Sequence, residues 1–220
     1  MHKVIFYPVG NGDTSQIVLA NGKRLLFDFR HCAKGEDPKD PIIDLKKRLS
    51  EELKGADRND FDVVAFTHGD DDHICNSTTF FELWHSSDYQ GPGRVKIKEL
   101  WVPAAMVLEP ATAETKDSEV IIWRDEARYR LKKGEGIRVF SKPDALKGWL
   151  EKNDLTIESR KHLISDAGTI VPGFTLNDDG VEFFVHSPFI KHTEVGDVLR
   201  NACALIFQAR FEVEGTRIDY

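Results

Sequence analysis

The sequence predicts an α/β or α+β fold built on mixed sheets, and three observations carry that prediction. Strand-like and helix-like segments alternate in the first half of the chain, whereas strand-like segments follow one another near its end. At 220 residues, 40% hydrophobic and 30% charged, the chain matches one domain, residues 1–220, with a real apolar core. No apolar run is long enough to span a bilayer.

Taken in order, Val4 to Val9 is an apolar strand and Gln16 to Leu19 alternates. Asn21-Gly22 is a hairpin signal, with Arg24-Leu25-Leu26-Phe27-Asp28 as its return strand. Ile42, Ile43, Leu45, Leu49 and Leu53 form the apolar stripe of a helix. Asp62 to Phe66 is a near-continuous apolar strand, of the kind buried on both faces. Asn76-Ser77 is an N-cap candidate for a helix from Thr78 to His85, with Phe80, Phe81, Leu83 and Trp84 as its apolar surface. Lys98 to Val102 is a further strand. Residues 104 to 170 read as a mostly helical insertion, with helices at Asp144 to Leu150 and Ile157 to Ile164. Strands return at Val181 to Val185, Ala204 to Phe211, and Thr216 onward.

The formal charge of −7 argues against a broad basic surface for nucleic acid. It leaves room for a nuclease, because an acidic metal cluster lowers net charge and bound cations restore it locally. The run from Arg124 to Lys133 reads as a solvated helix face. Cys32, Cys75 and Cys203 have no Cys-x-x-Cys spacing, so neither a disulfide framework nor a cysteine-rich zinc site is expected; Cys75 reads as a small buried thiol. With no signal-peptide pattern, the expected location is the cytoplasm, away from the membrane.

The chemistry concentrates in Thr67-His68-Gly69-Asp70-Asp71-Asp72-His73, directly after a buried strand, where such folds place their sites. Three carboxylates this close repel one another by several kcal/mol at an effective dielectric near 20, and a divalent cation is the economical remedy. An acidic loop at a helix N-terminus would account for the acids but not for His68 and His73. In an extended stretch His68, Asp70 and Asp72 face one side, His73 comes round as a helix begins, and Asp71 points away.

His68-x-Asp70-x-Asp72-His73 resembles the His-x-His-x-Asp-His motif of the metallo-β-lactamase superfamily, with Asp for the second His, a variant similar to the ComEC-like metallohydrolases. Gly10-Asn11-Gly12-Asp13 resembles that family's Gly-x-Gly-Asp opening. Leu25-Leu26-Phe27-Asp28 resembles its strand ending in Asp, and Asn201 to Ile206 its Asn-led late segment. The resemblance implies a four-layer αβ/βα sandwich. It also implies two divalent ions, zinc or manganese, or else magnesium or iron, with His68 and Asp70 on one and Asp72 and His73 on the other. Asp72 would be the catalytic ligand, Asp28 would orient a ligand histidine, and Asp13 would lie near the same edge.

Three departures stand out. Phe29-Arg30 follows Asp28 where the family has Gly, and Ala204 replaces Ser. The family's bridging Asp, in a Gly-Asp pair after the strand near Thr216, has no counterpart before Tyr220, so the sequence is expected to be a fragment. His186, at a strand end, is a further candidate ligand; His192 and His31 are weaker ones.

The resemblance implies hydrolysis by a water activated between the two metals, and the oxygen-rich donors favour a phosphodiester or nucleic-acid substrate. The alternatives are hydrolysis of a lactone, thioester or amide, or a non-catalytic metal-binding component of a larger assembly. For the last, the helix around Ile121-Ile122-Trp123 is the candidate docking surface for a protein partner.

Overall fold

A computed structural model describes residues 1–32, 42–111, 118–189 and 200–220. Its seven-stranded sheet has the spatial order β1 to β7, the same as the chain order. Strands β1 (Lys3–Phe6), β2 (Ser15–Val18) and β3 (Arg24–Phe27) form an antiparallel meander. The hairpin expected at Asn21-Gly22 is present: Gly22 takes φ +87°, a left-handed conformation that glycine enters without steric cost, and the Leu19 N–H donates to the Lys23 carbonyl at 2.9 Å.

Helix α1 (Leu45–Gly55) then carries the chain to β4 (Asp60–Ala65), parallel to β3. The Asp44 carboxylate caps α1 by accepting from the Lys47 N–H, and Leu45, Leu49 and Leu53 are buried at a spacing of one helical turn. After the short helix α2 (Asp71–Ile74), strands β5 (Lys96–Pro103), β6 (Ile137–Phe140) and β7 (Ile164–Ser165) extend the sheet in parallel. Helices α3 (Ala104–Leu108), α4 (Glu119–Lys133), α5 (Asp144–Glu151) and α6 (Ile157–Arg160) lie between them in sequence. After α7 (Leu176–Asp179), strands β8 (Val181–Ser187), β9 (Ile206–Val213) and β10 (Thr216–Asp219) pair antiparallel in a second sheet.

Each face of the large sheet buries its own core. Leu26, Val64, Leu100, Val102 and Val139 pack against α1, α3, α4 and α5. Ile17, Leu25, Val63, Ala65 and Trp101 face Phe183, Val185, Leu205 and Ala209 of the small-sheet side. The described layers are therefore helices, large sheet and small sheet. This is the mixed α/β class expected; a second helical layer is not among the described residues. Nor does any described helix have the length and apolarity to cross a membrane.

The helical insertion is corrected by the structure. Residues 104 to 170 supply β6 and β7 of the main sheet, β6 being paired with β5 from Leu100↔Ile137 to Pro103↔Phe140. The helix expected from Thr78 to His85 is also absent, apart from a single 3₁₀ turn at Ser77–Thr79. Partners outside the segment claim its backbone hydrogen bonds: Phe80 and Glu82 pair with Val95, Leu83 donates to Tyr89, and Trp84 and His85 donate to the Glu126 carboxylate. The helix expected to Ile164 stops at Arg160, where a 3₁₀ turn leads into β7.

Helix α4 differs from both readings made of it. Ile121 and Trp123 are buried, the Trp123 indole N–H donating to Ser77 Oγ, and Ile122 packs partly buried against the same core. The basic run is not wholly solvated either. Arg130 and Glu126 are fully buried one turn apart and joined at 2.6 Å.

Candidate metal centre

The site forms at the carboxyl ends of β3 and β4, where Asp28 and the Thr67–His73 run emerge side by side. Asp28 adopts φ +55°, and its N–H is held by the Ala65 carbonyl. This turns its buried carboxylate toward the run. One oxygen accepts from the Thr67 N–H at 2.7 Å. The other accepts from the Thr67 hydroxyl at 2.7 Å and from His73 Nδ1 at 2.8 Å.

These bonds favour one tautomer for each imidazole. His73 carries its proton on Nδ1, toward Asp28, leaving the Nε2 lone pair free. With the Thr67 hydroxyl donating its hydrogen bond to Asp28, its oxygen is left to accept from His68 Nδ1 at 3.1 Å, which frees His68 Nε2 as well. The two rings lie 3.8 Å apart between centroids. Asp72, in the first turn of α2, brings its carboxylate to 3.5 Å from His73 Nε2. His68, Asp72 and His73 offer ligand atoms that all lie within 4.8 Å of one another. Two imidazoles and a carboxylate suit zinc or manganese, and the three residues can hold a metal ion.

The charges fit this arrangement. Burial lowers the His68 pKa, and neighbouring His73 lowers it further. Burial also opposes protonation of His73, but the hydrogen bond and charge of Asp28 outweigh it and raise its pKa. Replacing Asp28 with Asn would put an amide N–H against a donor and release both tautomers. Asp28→Asn is therefore expected to weaken divalent-metal binding by about 10- to 100-fold, measured by calorimetric titration; unchanged affinity would contradict this role for Asp28.

The remaining expected residues fall around this group. Asp71 is exposed, as expected. Asp70 sends one oxygen to 3.5 Å from His68 Nε2, while its other oxygen meets Arg200 Nη1 at 3.0 Å. Arg200 is in turn clasped by Glu109. Sequence reasoning missed this pair, as it missed the part played by Thr67. Asp13 lies at the edge of the site, its N–H donating to the Asp72 carbonyl at 3.3 Å. A Cβ at Gly12 would collide with that same carbonyl oxygen, which explains why the loop needs glycine there.

His186 is corrected as a ligand. It is exposed on β8, in alternation with buried Phe183 and Val185, and it meets Gln208 Oε1 at 3.0 Å. It lies outside the group formed by His68, Asp72 and His73. His192 lies outside the described residues. His31 is outside the three-residue group, 3.8 Å from Asp44.

Cys75 is half-buried, with its Sγ 3.6 Å from that of Cys32. Burial and the Cys32 thiol push its pKa up to about 11. Against a reference thiol near 8.5, Cys75 is expected to alkylate with iodoacetamide at pH 8 on the order of a hundredfold more slowly. Timed mass spectrometry checks this, and a rate like that of a free thiol would contradict it.

Next to the histidines a cleft of about 460 Å³ opens between the sheets, lined by Phe6, Phe27, Phe207, Ile206 and Tyr220 as well as His68 and His73. No protein-family profile and no curated protein sequence matches this chain.

Proposed function

We propose that this chain is a metal-dependent hydrolase of the metallo-β-lactamase type, ComEC-like, acting on a phosphodiester. The observation that carries the proposal is the convergence of His68, Asp72 and His73, with Asp28 fixing His73 and, through Thr67, His68. A buried carboxylate that sets the tautomer of two neighbouring imidazoles is characteristic support for a metal ligand set. A divalent ion bound there supplies a hydroxide at neutral pH and neutralises charge on the attacked centre.

The chain's own residues do the rest. His68 and His73 present Nε2, Asp72 adds a carboxylate oxygen, and Asp28 keeps the imidazoles from turning. A carboxylate-bearing donor set favours hard cations and, through them, phosphate oxygens. The four-layer sandwich implied by the resemblance would add helices over the small sheet.

The apolar lining of the cleft favours a second reading, hydrolysis of a lactone, thioester or amide with an apolar acyl group. One panel separates the two. The protein loaded with Mn²⁺ or Zn²⁺ is expected to cleave single-stranded DNA, RNA, a cyclic dinucleotide or an aryl phosphodiester, and to lose that activity in EDTA. Turnover of esters alone would select the second reading, and turnover of no substrate would overturn both.

A further inference from the structure

We infer that Arg200 sets the number of metal ions this site takes, its guanidinium standing where a second ion would otherwise bind. The inference rests on the metal-centre reading above and concerns residues outside the His68, Asp72 and His73 group. Arg200 donates from Nη1 to Asp70 at 3.0 Å, and from Nε and Nη2 to the two oxygens of Glu109 at 3.2 and 2.5 Å. Two-point bonding of this kind fixes a guanidinium in both position and plane. Asp70 then reaches His68 Nε2 at 3.5 Å with its remaining oxygen. The chain of contacts His68, Asp70, Arg200, Glu109 thus closes the Asp70 side of His68 with a positive charge built into the protein.

Space and charge agree. The gap bounded by His68, Gly69, Met106, Glu109 and Arg200 is about 10 Å³, at or below what one water needs. A second divalent ion held by Asp70 on the Glu109 side of His68 would have to displace the guanidinium, which fills that side. It would also have to take Asp70 from a partner that holds it by a charged hydrogen bond. Without the arginine, Asp70 and Glu109 become two unpaired carboxylates beside an imidazole, which are the ingredients of a further cation site. In this account Asp70 does not serve a second ion in the wild-type chain; it holds Arg200.

The test compares wild type, Arg200→Lys and Arg200→Gln after equilibration with Mn²⁺ and removal of excess metal. Bound ions per chain are counted by elemental analysis, and magnetic coupling between neighbouring Mn²⁺ ions is read by electron paramagnetic resonance. Thermal unfolding confirms that each variant is folded. Wild type and Arg200→Lys are expected to hold one uncoupled ion, and Arg200→Gln two that are coupled. Two ions in wild type, or one in Arg200→Gln, would overturn the inference while leaving the metal-dependent hydrolase standing. No ion in any of the three would overturn both.

Discussion

Replacing Asp72 with alanine is expected to abolish metal-dependent hydrolysis while leaving the fold intact. The carboxylate is the only acid in the three-residue ligand group, and without it two neutral imidazoles face a divalent cation with no compensating charge. A catalytic metal supplies several kcal/mol of transition-state stabilisation. At about 1.4 kcal/mol per tenfold, its loss is on the order of a thousandfold in rate. The Asp72 side chain is 47% exposed, so its removal opens no cavity and the apo protein should unfold within about 0.5 kcal/mol of wild type. The paired measurements are turnover on the best substrate of the panel and the thermal midpoint of the metal-free protein. Full activity in the folded variant would remove Asp72 from the mechanism.

Glu126→Ala is expected to have the largest effect on stability, far from the metal centre. Glu126 and Arg130 are both fully buried and share a 2.6 Å bond. The carboxylate also accepts from His85 Nδ1 and from the Trp84 and His85 N–H groups. Deleting it strands a buried guanidinium that keeps only the Ile97 and Gly136 carbonyls and the Trp84 ring, 3.8 Å away. Removing one partner of such a pair costs about 3–5 kcal/mol, on the order of 10 °C in midpoint for a chain of this size. Burial alone would raise the Glu126 pKa, but His85, Arg130 and the Trp84 N–H together hold it below the usual carboxylate range. A group whose pKa is lowered by folding stabilises the native state above its unfolded pKa, about 4.3. That contribution fades as the pH falls through the lower folded value. Glu126→Gln should therefore unfold with a weaker acid dependence than wild type below about pH 4.5, and an identical profile would contradict this reading.

The sequence displayed the heart of the site because it is local. His68, Asp72 and His73 fall within one turn-and-helix segment, so their spacing alone announces convergence. The strand before them and the hairpin at Gly22 were legible for the same reason. Residues joined across the chain left no such trace. Arg200 is 130 positions from Asp70 and 91 from Glu109, and nothing in its neighbours' sequence marks it as a clamp. The part played by Thr67 depends on its hydroxyl meeting Asp28, 39 positions away.

The errors in the fold have a similar origin. Ile137–Phe140 is a strand of four residues, all buried, too short to show a period and set between helices. Phe80, Phe81 and Leu83 have apolar content suited to a helix, but Val95 and Tyr89 claim backbone groups of Phe80, Glu82 and Leu83. His186 stands near the end of β8 as a ligand would, yet it is exposed there and meets Gln208 instead of the histidine group.

The central claim is that His68, Asp72 and His73 together hold a divalent cation. Anomalous diffraction from crystals grown with Zn²⁺ or Mn²⁺ tests it most directly. The account predicts an anomalous peak bonded to the Nε2 atoms of His68 and His73 and to the Asp72 carboxylate at about 2.0–2.2 Å. Density at full metal occupancy that lay elsewhere, or imidazoles still in van der Waals contact with no peak between them and Asp72, would contradict it.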